Sequence, residues 1–417
     1  MSARKRYARV LRAPHVAPLL AAAVVARMPI GIGALALVLF LREQTGSYGR
    51  AGAVAGAFAL GGAVGAPAIG RLVDRFGQPR VLVPIALGHA AGLGALSALG
   101  LLGAPLAVLV LTALATGVCI PPISAVLRPL LPGLVGGDQE LLTTAYALDA
   151  VLVELVFVSG PLLTAVATAT LSPVAALVLG AVLVVAGTAA FAASEPSRSW
   201  RSERRAAGHG VLGALRSAGL RILVVVTLPI GFCFGAMEVT LPAFAEDVAD
   251  RAWAGALIAI WSAGSALGGL WYGARAWRSG VAERYVRLAW LLPLGYLPLA
   301  AAPSLAAMVP LCVLAGVTIA PLLTAGNQLV GDVAPAGALT EAFTWPITAL
   351  VTGLAAGNAA AGAVVEAADW RAAFLAAAAG ASLGAVVALA GRQRCLARFE
   401  IGVVGARWAE VVAELAG

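Results

Sequence analysis

"GRLVDRFGQPR", residues 70–80, sets three arginines and an aspartate between two apolar runs, "AGAVAGAFALGGAVGAPAI" (51–69) and "VLVPIALGHAAGLGALSALGL" (81–101). Neither flank carries a lysine, arginine, aspartate or glutamate. Each is about 20 residues long, the helical length that crosses roughly 30 Å of hydrocarbon. The charge is therefore confined to a turn between two membrane spans.

The rest of the chain agrees. Of 417 residues, 61% are hydrophobic and 12% charged, with a mean hydropathy of +0.94, where a soluble domain has about 25% charged residues. The protein is read as an all-α integral membrane protein. The net charge of +8 comes from 27 arginines and one lysine, Lys5, and reflects membrane topology, with no nucleic-acid partner implied. The four cysteines, Cys119, Cys233, Cys312 and Cys395, lack metal or redox spacing. The basic start "MSARKRYARVLR" precedes an apolar run too long for a cleaved signal, so an uncleaved first span is expected.

Apolar runs fall at 16–42, 49–69, 81–101, 104–128, 141–167, 172–194, 220–245, 252–274, 286–303, 306–331, 339–365 and 370–391, which makes twelve spans. If they alternate, 23 basic residues face one side and four (Arg42, Arg50, Arg251 and Arg371) face the other. Arginine-rich short loops stay in the cytoplasm, which places both termini there in a cytoplasmic membrane.

The two halves are related. At an offset of 203, "AGAVAGAFALGGAVGAPAIGRLVDRFG" overlies "AGALIAIWSAGSALGGLWYGARAWRSG", pairing Gly61 with Gly264, Gly65 with Gly268, Gly70 with Gly273 and Gly77 with Gly280. "GVCIPP" (117–122) then matches "GVTIAP" (316–321), and "TTAY" (143–146) matches "TEAF" (340–343). The organisation expected is a six-helix half at 1–195, a central cytoplasmic loop at 196–219, a second half at 220–391 and a tail at 392–417. Such parallel repeats are common in secondary transporters, which place the substrate between the halves. Glycine pairs such as Gly52/Gly56, Gly61/Gly65 and Gly88/Gly92 are expected to allow close helix packing.

The loop resembles the signature of the major facilitator superfamily, G-x-L-x-D-R-x-G-[RK]-[RK], through Gly70, Leu72, Asp74, Arg75 and Gly77. Gln78 and Pro79 stand where the family carries a basic pair. With the twelve-span repeat, the resemblance extends over nearly the whole chain. It implies that Asp74 faces the N-terminus of the eleventh helix, whose dipole attracts an anion, and so joins the halves on the cytoplasmic side. Because Gln78 replaces a basic residue while Arg128 ends the fourth span, Arg128 is expected to pair with Asp74. In the second half Trp277 aligns with Asp74, so the gate should be asymmetric.

Ionisable groups at hydrocarbon depth are costly and usually functional. Arg27 lies near the centre of the first span and Glu154 at a similar depth in the fifth. The two helices are neighbours in this superfamily, so an Arg27–Glu154 pair is expected, either coupling transport or fixing helix register. Asp149 lies five residues earlier, on another helix face and nearer the cytoplasm, and is assigned to the gate or to coupling. Glu238, in the outer third of the seventh span, is a proton acceptor or a vestibule residue. Asn327 and Asn358 line the second half's cavity or bond between helices. His89 reads as a packed core histidine. "VSGPLLTA" (158–165) resembles a Gly-Pro motif of drug/proton antiporters at Gly160 and Pro161, with Thr164 and Ala165 where those carry glycine.

The function expected is secondary transport of a small organic molecule by alternating access, as proton-coupled export or, alternatively, uptake of a metabolite. A non-transporting sensor is a remote third reading. No nucleotide-binding loop fits a chain whose only lysine is Lys5, no enzyme constellation is present, and no cofactor is implied. The expected partners are the substrate, protons and the bilayer, around a monomer.

Overall fold

The computed structural model describes residues 3–202, 213–248, 250 and 253–415; for 3, 34, 48, 49 and 394–415 it describes the backbone alone. Part of the central loop, 203–212, thus lies outside the described residues, as does the side chain of Cys395. A short basic helix, Ala3–Arg12, precedes the spans.

The first half comprises Val16–Thr45, Tyr48–Phe76, Gln78–Leu101, an interrupted fourth span from Leu106 to Leu134, Gln139–Thr170 and Pro173–Ala193. The second comprises Ala218–Val248, Trp253–Gly273, a ninth span described below, an interrupted tenth from Leu305 to Val333, Leu339–Ala367 and Trp370–Leu415. Among the described residues, 11 of these helices are long and apolar enough to cross a membrane by themselves. The ninth span is the helix Val281–Tyr296 continued by a 3-10 turn, Leu297–Ala301. Together they reach about 34 Å, enough to complete twelve spans. The last helix continues unbroken past its span into the tail.

The internal repeat recurs in three dimensions. The matched segments at 117–122 and 316–321 are where the fourth and tenth spans break, between Val118 and Ile123 and between Gly316 and Ile319. Gly61 and Gly65 abut the backbone of the fourth span at Leu114 and Val118; their repeat partners Gly264 and Gly268 abut the tenth at Val313 and Val317. Without a hydrophobic force between lipid-bathed helices, such approaches let van der Waals contact hold the bundle. Gly88 and Gly92 likewise pack on Cys119 and Thr116. Gly52 and Gly56 do not: a side chain at either would meet open space, on a face of the second span that no neighbour covers, although Ala51 and Val54 on its other face are buried.

Both long turns of the two halves, the helix Ala3–Arg12 and the start of the fifth and eleventh spans gather at one end of the bundle, hereafter the basic end.

Candidate functional site

The turn 70–80 sits where the two halves meet. Gly77 holds a positive φ of 86°, ending the second span, and Pro79 opens the third. Gly70 lets the eleventh span approach, since a Cβ there would stand 3.0 Å from Glu341 Cα. One helical turn on, Asp74 reaches the start of that span. The amide of Thr340 donates to Oδ1 at 3.0 Å and that of Glu341 to Oδ2 at 2.9 Å. The eleventh span has no cap of its own, its N-cap residue being Ala338. A carboxylate from the other half therefore satisfies amides that a helix start leaves open, and meets the positive end of its dipole. Beside it, Arg71 Nε lies 2.8 Å from Oε1 of the buried Glu341.

Arg128 does not join this contact. It sits on a 3-10 turn below the break in the fourth span, and its Nε donates to Asp149 Oδ2 at 3.1 Å. Arg27 Nη2 lies 2.7 Å from the other oxygen, Asp149 Oδ1. The expected Arg27–Glu154 pair is therefore replaced by an Arg27–Asp149–Arg128 triad, and the expected Arg128–Asp74 pair is absent among the described residues. Depth explains the first correction: Arg27 is eleven residues past Val16 and Asp149 ten past Gln139, so both lie about 16 Å from the basic end. Glu154 lies about 7 Å deeper and on another face. The triad joins the first, fourth and fifth spans inside one half. Gln78, where the family carries a basic residue, is buried and donates through Nε2 to Val126 O at 2.9 Å, holding the third span to the fourth.

Glu154 instead faces the other half. Its Oε1 accepts from Ser265 Oγ of the eighth span at 2.7 Å. No cation lies within ion-pair distance of it among the described residues, whereas Asp149 holds two.

Further bonds tie the halves. Thr144 Oγ1 donates to Gly273 O at 2.6 Å, Gln328 Nε2 to Thr143 Oγ1 at 2.6 Å, Tyr7 Oη to Leu270 O at 2.8 Å and Thr348 Oγ1 to Ala63 O at 2.9 Å. Each of these bonds lies between mid-depth and the basic end. Toward the opposite end, Gly52 and Gly56 of the second span and Gly362 of the eleventh have no neighbour for a side chain to meet. The bonds of Asp74, Thr144 and Gln328 clamp the halves toward the basic end.

The remaining sequence candidates scatter. Leu72 and Arg75 are exposed, with the Arg75 guanidinium 5.1 Å from the Phe76 ring, so neither enters the clamp. Glu238 is exposed in the outer part of the seventh span, and Asn358 Nδ2 donates to it at 3.4 Å, bonding the seventh span to the eleventh. Asn327 is half-buried on the tenth span beside Gln328. Gly160 abuts Gly31 of the first span, making that stretch a packing contact, and Pro161 follows within the helix. Thr164, where drug/proton antiporters carry glycine, is buried and donates to Gly160 O at 3.0 Å. His89 packs as expected, its Nδ1 2.9 Å from Thr116 O and its ring 5.7 Å from that of Phe58.

Sequence reasoning missed Arg71–Glu341, Thr144, Gln328, Ser265 and Tyr7. Glu341 had a signal: it stands in the repeat match 340–343, in the first turn of a span, where an acid favours the helix dipole.

The model of the Major Facilitator Superfamily matches residues 19–281. The chain belongs to that superfamily and is a membrane transporter. Among solved structures, the human organic anion transporter MFSD10 superposes with a TM-score of 0.70 at 18% identity, covering 91% of this chain and 99% of that one. A bacterial homologue of the iron transporter ferroportin, in an outward-facing state with soaked iron, superposes with a TM-score of 0.71 at 15% identity, covering 90% and 98%. These likenesses establish the fold. No curated protein sequence matches the chain.

Proposed function

We propose that this transporter is a monomeric, proton-coupled exporter of a small organic molecule in the cytoplasmic membrane, and that Glu154 carries the coupling proton. The observation that carries the reading is the position of Glu154: a carboxylate at mid-depth, at the seam between the halves, with a serine of the opposite half as its partner and no counter-cation. A group so placed changes surroundings when the halves rock, which is what exchange of a proton for a substrate requires. Asp149, locked between two arginines, suits a fixed strut instead.

The arginine bias supports a cytoplasmic basic end. On this reading the clamp closes the cytoplasmic side, and the opposite end, where Gly52, Gly56 and Gly362 meet no neighbour, opens outward. In that state a proton can enter toward Glu154 after substrate has left. The same opening would admit a substrate for uptake, the second reading.

The test uses everted membrane vesicles and a panel of labelled organic compounds. An exporter accumulates its substrate inside such vesicles when they are acidified within, and the accumulation collapses with an uncoupler. Glu154→Gln should abolish uphill accumulation yet retain downhill exchange. Normal uphill transport by that variant would remove Glu154 from the mechanism. Substrate loss from acidified everted vesicles would favour uptake.

A further inference from the structure

The segment that repeats 70–80 in the second half, 273–283, holds charge of another kind. Trp277, at the position of Asp74, folds back and donates Nε1 to Tyr272 O at 2.9 Å. Its ring is shared by two guanidiniums, Arg275 at 5.5 Å and Arg284 at 5.6 Å. Arg275 also lies 5.4 Å from the exposed ring of Trp271, and Arg284 5.5 Å from that of Tyr272. Arginine over aromatic faces is attractive, but no ring cancels a full charge.

Arg284 is 7% exposed, and its Nε and Nη1 are buried with no acceptor; Tyr272 Oη is also buried without a partner. Neither Arg275 nor Arg284 meets a carboxylate among the described residues, and Glu283, in the same turn, is taken by Arg287. Arg284 stands in the first turn of the ninth span, whose N-cap, Gly280, supplies no capping side chain. Buried donors left open are costly, so the cluster favours an added acceptor. A helix start and a rigid guanidinium fork both favour a phosphate oxygen.

We propose that this cluster binds the phosphate of an anionic phospholipid headgroup, with Arg284 and Tyr272 as the inner donors and Arg275 at the rim. A lipid is favoured over a free anion by place. The cluster lies at the end of two spans, beside an exposed tryptophan of the kind that settles at the membrane interface. The bound headgroup would brace the end of the eighth span, whose Leu270 and Gly273 carbonyls accept from Tyr7 and from Thr144 of the other half. Lipid would thus favour the clamped state. The assignment stands independently of Glu154 and of transport direction.

The experiment is native mass spectrometry of the delipidated full-length protein in an uncharged detergent. The probes are dioleoylphosphatidylglycerol, dioleoylphosphatidylcholine and inorganic phosphate. The wild type should retain phosphatidylglycerol in preference to phosphatidylcholine. Arg284→Gln should lower phosphatidylglycerol retention about fivefold without changing phosphatidylcholine. Arg275→Gln, at an exposed position that should not disturb folding, should lower it by a similar factor. Unchanged retention in Arg275→Gln and in folded Arg284→Gln would overturn the site. Displacement of the lipid by millimolar phosphate would overturn the lipid assignment in favour of a free anion.

Discussion

The second-to-third turn and the eighth-to-ninth turn occupy the same place in the repeat, yet Asp74 stands in one and Trp277 in the other. The reason lies in the helices they meet. The fifth span caps itself: Asp138 Oδ1 accepts from the amides of Glu140 at 2.9 Å and Leu141 at 3.1 Å. Its counterpart, the eleventh, begins after Ala338 and has no such side chain. The carboxylate is therefore supplied once from within a half and once across the seam. Where it comes from within, the opposite turn is released for other use, and 273–283 holds an arginine–aromatic cluster instead. A cap in cis stabilises one helix; a cap in trans couples helix stability to the contact between halves.

That contrast orders the expected effects. The largest belongs to charge held wholly inside one half. Asp149→Ala leaves Arg27 and Arg128 facing each other unpaired and should cost about 3–5 kcal/mol. Because the triad does not cross the seam, the loss should appear in thermal stability of the purified protein. A variant that folds normally but stands open at the basic end would move the triad into the gate.

Asp74→Ala should come next. It strands two amides at a cost of about 1–3 kcal/mol, here charged mainly to the clamp. In a cysteine-free background, a cysteine at Ala147, which is buried between the halves, should then label at least about fivefold faster from the basic end. Adding Ala338→Asp should restore roughly 1 kcal/mol of stability by capping the helix in cis, while labelling stays fast. If labelling also returns to the wild-type rate, the aspartate acts only as a cap and the coupling argument fails.

Asp138→Ala should cost about 1 kcal/mol with Ala147Cys labelling unchanged. Accelerated labelling would show that the cis cap, too, feels the seam. The smallest effect is expected of Thr144→Val, which removes one hydroxyl bond to Gly273 O, worth about 0.5–1.5 kcal/mol, and should speed labelling modestly. No change would leave Asp74 and Arg71–Glu341 as the effective closure.

Much of this was legible in the chain. Twelve spans, their alternation and the repeat follow from length and loop charge, because helical rise is constant and hydrocarbon thickness sets a minimum run. The breaks in the fourth and tenth spans coincide with matched segments, and Gly61/Gly264 and Gly65/Gly268 make matched contacts. Asp74 met the expected helix start because the signature turn carries its own geometry in Gly70 and Gly77.

What only tertiary structure decided was which face of each helix meets which neighbour. In a soluble helix a polar face marks the outside, but here lipid-facing and protein-facing sides are both apolar, so azimuth leaves almost no trace in composition. Arg27 was therefore matched with Glu154 when Asp149 holds it, and Gly52 and Gly56 were assigned a contact they lack. Glu341 and Ser265 went unnoticed because their partners, Arg71 and Glu154, lie in the other half. Depth is a local property that a sequence records residue by residue. Rotation about the helix axis and the closing of two halves on each other are settled only by packing.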